Sequence, residues 1–177
     1  MRTLTAIRIW LALFIVCLAG AGITAFPLQW ELGVSVQVLH SLGVDTWWPS
    51  FFGWIARVND GVIATNAHYP FIFYGTDWLA FAHLAIAVAF IGPFRDPVRN
   101  IWIIQFGMIA CVGVIPLALI AGPIRGIPLG WELIDMSFGV IGIIPLIIVY
   151  RLIRRLERET SKTKEIAKPA NENVRVS

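Results

Sequence analysis

Two ionisable residues, Asp77 and His83, lie inside an apolar stretch from Phe71 to Pro93 that is long enough to cross a membrane. Ionisable groups are costly at such depth, and for that reason they mark candidate functional sites. Taking Phe73 as the outer edge, a helical rise of about 1.5 Å per residue puts Asp77 roughly 6 Å inside and His83 roughly 15 Å inside. We therefore expect Asp77 near an interface and His83 near the midplane of the bilayer.

Both residues also have purely structural interpretations. Asp77 suits an ion pair with an arginine, or hydrogen bonds to helix-end amides, that hold a helical bundle together. His83 suits a neutral imidazole hydrogen-bonded to a carbonyl or hydroxyl group of another helix. The residue types alone leave these interpretations open beside a functional one.

A polar cluster is predicted where the outer ends of the second to fourth spans meet. The candidate ligand-binding residues are Tyr74, Asp77, Arg125, Glu132 and Asp135. Arg125 requires an anion, and the candidates are these carboxylates or a lipid phosphate. An ion-pair network that closes the bundle is the structural alternative to a site for a lipid headgroup or small ligand.

The same region supplies candidates for acid–base catalysis. Neighbouring carboxylates beside an arginine can shift each other's pKa values and provide an acid and a base. The candidate catalytic residues are Asp77, His83, Glu132 and Asp135. Motifs for phosphate binding and common hydrolases are absent, including G-x-G-x-x-G, the P-loop, H-E-x-x-H and G-x-S-x-G, which weakens those function classes.

A haem site is a further alternative, with His83 and Met108 as axial ligands at matching depths in the second and third spans. No other span contains histidine, which weakens this interpretation. Cys17 and Cys111 share no C-x-x-C spacing and predict neither a zinc site nor a redox pair. No metal ion is expected, and the cofactor is unknown, with none favoured.

Composition indicates a membrane protein. Of 177 residues, 58% are hydrophobic and only 14% are charged, whereas a soluble domain carries about 25% charged residues. We predict an all-α integral membrane protein with four transmembrane helices, forming a membrane domain over 1–155. The predicted spans are 7–26, 71–93, 101–121 and 131–152. The basic, polar tail 156–177 is expected to be disordered. A cleaved signal peptide competes with the first span, but the apolar run continues to Phe26 and favours an uncleaved helix.

The connection 27–70 is the longest in the chain and is rich in aromatic residues. Leucine and valine recur at spacings of three and four from Leu28, which predicts an amphipathic helix that Gly43 would end. A second helix is predicted to start at Pro49. Because tryptophan and tyrosine favour the headgroup region, we expect amphipathic interfacial helices in this first exoplasmic loop.

The distribution of positive charge predicts the orientation. Four spans place both termini on one side, together with nearly all arginines and lysines; Arg57 and Arg125 lie opposite. Because an excess of these residues marks the cytoplasmic side, both termini are expected in the cytoplasm of a bacterial cell. The chain is then a multi-pass protein of the cytoplasmic (inner) membrane.

Three stretches resemble a family of uncharacterised bacterial inner-membrane proteins. They are Tyr74-Gly-Thr-Asp-Trp-Leu-Ala-Phe-Ala-His83, IGPFRDPVRNIW and GPIRGIPLGWELID, and the resemblance covers roughly residues 70 to 155. The family has no assigned activity, so the resemblance implies a four-helix topology and no mechanism.

The favoured function is that of a binding or accessory membrane protein with an exoplasmic polar site for a lipid headgroup or small ligand. The alternatives are an intramembrane enzyme and a haem-binding redox subunit. Expected partners are the lipid bilayer and either a lipid headgroup or another membrane protein. Nucleic acid is not expected, because the cations gather at span ends and in the tail.

Overall fold

Helices make up nearly all of the chain that the computed structural model describes, which is the backbone of residues 2–172 and the side chains of residues 3–161. No strand occurs within this range. A 3-10 turn, Pro70–Phe73, precedes the fifth helix. The α-helices are α1 (Arg2–Ala25), α2 (Leu28–Ser41), α3 (Val44–Trp47), α4 (Pro49–His68), α5 (Tyr74–Ala89), α6 (Ile91–Arg95), α7 (Ile101–Arg125) and α8 (Leu129–Glu172).

Four helical segments of the described chain are long and apolar enough to cross a bilayer. They are Thr3–Ala25, Pro70–Arg95, Ile101–Arg125 and Leu129–Ser161. The prediction of an all-α protein with four candidate transmembrane helices is therefore confirmed. Helices also fill most of the first connection, where α2 ends before Gly43 and α4 begins at Pro49. Their position at a membrane surface stays a prediction.

The chain divides into two compact units. The hairpin unit contains residues up to 16 and from 88 onward, and the loop unit contains residues 17–87.

The hairpin unit is built on the antiparallel pair α7 and α8. Glycines allow the two helices to approach closely, as small residues do in membrane bundles. A Cβ added at Gly139 would collide with the backbone carbonyl of Cys111, and one at Gly107 would lie 2.9 Å from the Leu146 side chain. The first half of α1 belongs to the same unit, where the Phe14 and Phe90 rings pack with centroids 4.7 Å apart.

The loop unit is organised by α2 and α4, which also run antiparallel. Near one end of the pair the His40 and Phe52 rings meet edge-on with centroids 6.2 Å apart. At the other end, Asn66 Nδ2 donates a 2.6 Å hydrogen bond to Gln29 Oε1. The antiparallel packing of α2 and α4 thus brings the end of α4 to the start of α2, near the first turn of α5.

The C-terminal helix α8 continues to Glu172, well past the predicted end of the fourth span at residue 152. The expectation of disorder after residue 155 stays a prediction. Ion pairs one turn apart support the extension, since side chains three or four residues apart are neighbours on a helix. Arg154 lies 3.0 Å from Glu157, and Arg155 lies 2.8 Å from Glu159. The remainder of the predicted disordered tail, residues 173–177, lies outside the described residues.

Candidate functional site

A pocket of about 470 Å³ lies in the loop unit, where both ends of the connection 27–70 meet the start of α5. Three segments line it: the junction of α1 and α2, the end of α4, and the start of α5. The lining residues are Phe26, Pro27, Leu28, Gln29, Trp30, Asn66, Phe73, Thr76 and Asp77. The pocket therefore combines aromatic surface with two amides, one hydroxyl and one carboxylate.

The polar side chains of the pocket are held by hydrogen bonds that follow from the fold. The bond from Asn66 to Gln29 joins α4 to α2 across 37 positions of sequence. Thr76 Oγ1 donates to the carbonyl oxygen of Phe73 at 2.7 Å, which ties the first turn of α5 to the preceding 3-10 turn. These bonds leave Asn66 Oδ1 and the lone pairs of the Thr76 hydroxyl available to accept.

Asp77 is the charged group of the pocket. It lies half-buried in the first turn of α5, where a carboxylate is favoured by the helix dipole. Among the described residues its side chain has no hydrogen-bond or ion-pair partner. No lysine or arginine occurs among the lining residues. The pocket is thus acidic, and the Asp77 carboxylate forms no ion pair within the described chain.

His83 lies further along α5 and bonds within its own helix. Its Nδ1 is 2.8 Å from the carbonyl oxygen of Leu79, so a neutral ring donates from Nδ1 and keeps Nε2 as an acceptor. The Cβ of His83 would lie 2.9 Å from a Cβ placed at Gly22, which marks a close crossing of α1 and α5. The structural interpretation of His83 predicted a bond to another helix, whereas the acceptor here is one turn away.

The haem alternative stays a prediction, with His83 on α5 and Met108 on α7 as its candidate ligands. Within the described residues, no three histidine, cysteine or acidic side chains are grouped so that they could hold a metal ion. Met108 is half-buried on α7.

The hairpin unit contains the other predicted site residues, Arg125, Glu132 and Asp135. Glu132 is only 4% exposed, and its side chain packs over the Cα of Gly122 where α7 and α8 converge. Asp135 is half-buried one turn further along α8. Arg125 is the last residue of α7 and is exposed.

Arg125 forms no ion pair with Glu132, Asp135 or any other described residue within 4.0 Å. The described residues Arg125, Glu132 and Asp135 therefore form none of the ion pairs of the network that is the structural alternative to a ligand site. The reason is geometric: Glu132 is turned into the helix contact against Gly122, while Arg125 stands at the exposed end of α7.

Of the predicted ligand-binding residues in the loop unit, one lines the pocket and one does not. Asp77 lines a pocket, but Tyr74 does not, and the Tyr74 ring packs edge-on against Trp78 with centroids 5.9 Å apart. Sequence reasoning missed Gln29 and Asn66 as site residues. Neither carries a charge or belongs to a motif, and only the antiparallel packing of α2 and α4 brings them together.

Comparisons with family models, with curated proteins and with solved structures found no match to this chain. Arguments about function consequently rest on the pocket and on the charges around it.

Proposed function

We propose that this chain is a multi-pass membrane protein that binds a lipid headgroup or another small polar ligand in the pocket of the loop unit. The observation that carries the proposal is Asp77, a half-buried carboxylate that lines a pocket of about 470 Å³ without a partner among the described residues. Leaving a charge partly desolvated and unpaired costs free energy, and binding a complementary group offsets that cost.

We also propose that the pocket lies on the exoplasmic side of a bacterial inner membrane, with both termini in the cytoplasm. Two observations support this placement. Positive charge is concentrated in the segments assigned to the cytoplasm. Large aromatic side chains stay exposed on the loop unit, which suits contact with lipid headgroups. These side chains include Trp30, Trp47, Trp48, Tyr69 and Phe71.

A pocket-filling substitution tests the binding function whatever the identity of the ligand. Replacing Asn66 by tryptophan removes the bond to Gln29 and introduces an indole into the lining. We expect native mass spectrometry of the protein released from membranes to show a bound small molecule on the wild type. We expect at least tenfold lower occupancy on Asn66→Trp, corresponding to about 1.4 kcal/mol.

The matched control is Ser50→Trp, which adds the same side chain at an exposed position at the other end of α4. This variant should retain the bound molecule at the wild-type level. If Asn66→Trp and the wild type fold alike and carry the same occupancy, the pocket is not a binding site and the proposal fails.

A further inference from the structure

The chemistry of the pocket specifies its ligand more closely than the general proposal does. We propose that the pocket recognises a primary ammonium group, presented by a lipid headgroup or by a free small amine. This inference rests on the proposed binding function and names the chemical class that the site accepts.

The charge of the lining is the first argument. Asp77 is the one ionisable side chain among the lining residues, and its carboxylate has no described partner. A phosphate or carboxylate ligand placed there would meet a like charge with no lysine or arginine to offset it. A cation is favoured instead, because a charge-assisted hydrogen bond is stronger than a neutral one.

The acceptors around Asp77 are the second argument. An ammonium group carries three N–H donors and no acceptor. The pocket offers the two carboxylate oxygens of Asp77, Oδ1 of Asn66, whose Nδ2 is already used, and the hydroxyl oxygen of Thr76, whose proton is already used. The internal bonds of the site thus turn an amide and a hydroxyl into acceptors, which matches the needs of a primary amine.

The aromatic residues of the lining supply the third argument. Phe26, Trp30 and Phe73 line the same pocket as the carboxylate. Aromatic faces attract cations and also pack against the methylene groups next to an amine. The ring faces offer no such electrostatic attraction to an anionic group.

The charge of the surrounding unit agrees with the local chemistry. The loop unit, residues 17–87, has four carboxylates and one arginine, although the whole chain has a net charge of +3. The carboxylates are Glu31, Asp45, Asp60 and Asp77, and the arginine is Arg57. The summed field of such a unit raises the local concentration of cations and lowers that of anions.

Lipid retention tests the inference directly. The full-length protein is reconstituted in nanodiscs of equimolar phosphatidylethanolamine, phosphatidylcholine and phosphatidylglycerol, and its retained lipids are measured by native mass spectrometry. We expect about tenfold enrichment of phosphatidylethanolamine over phosphatidylglycerol on the wild type, as one charge-assisted hydrogen bond would give. Phosphatidylcholine should fall between them, because its quaternary ammonium is a cation without N–H donors.

Three substitutions identify the group responsible. Asp77→Asn should reduce the enrichment to about onefold, and Asp77→Glu should preserve most of it because the carboxylate remains. Asp60→Asn is the matched control, since it removes an exposed carboxylate of the same unit outside the pocket lining, and it should leave the enrichment unchanged. Equal enrichment in folded wild type and Asp77→Asn would overturn the inference.

Free ethanolamine separates the two sources of the amine. If millimolar ethanolamine displaces the retained phosphatidylethanolamine, the ammonium group is sufficient and a free amine is a ligand. If it does not, while the enrichment still depends on Asp77, the amine is recognised as part of a lipid.

Failure of this inference is distinguishable from failure of the binding function. If Asn66→Trp removes a bound molecule but the wild type shows no preference for amine-bearing lipid or ethanolamine, the pocket binds a ligand of another class. In that case the ammonium inference is wrong, and the proposed binding function stands.

Discussion

At the residue scale, the contact between Glu132 and Gly122 shows how closely α7 and α8 approach. The Glu132 side chain occupies the space that a Cβ on residue 122 would need, with its Cγ 2.7 Å from that position. Glu132 is 4% exposed, and its backbone N–H bonds to the carbonyl oxygen of Pro128 at 3.1 Å. The absence of a side chain at residue 122 is thus what allows the carboxyl side chain to lie between the helices.

Gly122→Ala should destabilise the protein by about 1–3 kcal/mol, because the added methyl group overpacks a filled contact. Thermal unfolding in detergent measures the effect as a lower Tm. Gly113→Ala is the control on the same helix, where nothing lies within 4 Å of an added Cβ. That variant should be neutral or slightly stabilising, because alanine favours helix more than glycine does. Equal effects of the two substitutions would contradict the described packing.

The sequence allowed part of the candidate pocket to be predicted. Asp77 stood out because a carboxylate in an apolar segment is rare, and Asp77 does line the pocket. Gln29 and Asn66 could not be predicted, since uncharged amides in a polar connection give no local signal. Glu132 was one of several candidate partners of Arg125, but whether two such side chains meet depends on helix rotation, which residue spacing constrains weakly.

At the element scale, the end of α7 is set by Gly126 and not by the earlier Gly122-Pro123 pair. Gly126 has a φ of +68°, the left-handed conformation that glycine adopts without a Cβ penalty. The N–H of Ile127 bonds to the carbonyl oxygen of Gly122 at 3.0 Å, and that of Gly126 bonds to Pro123 at 3.2 Å. This pair of bonds is a Schellman motif. The helix therefore extends past the predicted end at residue 121.

Substitutions at Gly126 should depend on how well the new residue tolerates the left-handed conformation. We expect Gly126→Ala to cost about 1 kcal/mol and Gly126→Asn to cost less, because asparagine visits this region more readily. Gly130→Ala is the control one helix later, at an open position without a positive φ. Chemical denaturation in detergent would contradict the assignment if alanine at 126 were as stable as asparagine.

Side-chain pairs accompany the part of α8 that extends beyond its predicted span. Charged composition led us to expect disorder after residue 155, since such segments bury little apolar surface. Arg154 and Arg155 each precede an acid by three or four residues, and the hydroxyl groups of Thr160 and Ser161 bond back to carbonyl oxygens one turn earlier.

At the scale of the whole molecule, the number of spans was the most predictable property. An apolar helix of about 20 residues matches the hydrocarbon thickness, so length and composition suffice to recognise each candidate span. The division into a hairpin unit and a loop unit was not predictable in the same way. It divides α1 between residues 16 and 17 and α5 between residues 87 and 88, and no residue pattern marks either point.

The proposed orientation predicts the accessibility of single cysteines introduced after Cys17 and Cys111 are replaced by serine. In intact bacterial cells, a membrane-impermeant maleimide should label Asp60→Cys in α4, because the positive charge distribution assigns this loop to the exoplasmic side. Ser161→Cys in α8 should react only after the membrane is opened. Labelling of Ser161→Cys in intact cells, with Asp60→Cys protected, would reverse the orientation.

The unbroken length of α8 has a mechanical consequence. Its 44 residues correspond to about 66 Å of helix, roughly twice the 30 Å thickness of bilayer hydrocarbon. If the apolar half of α8 spans the bilayer, its polar half therefore extends the same helix beyond the membrane surface. A domain fused after α8 would be separated from the bilayer surface by this polar half. Deleting whole turns of the helix would shorten that separation by about 5.4 Å each.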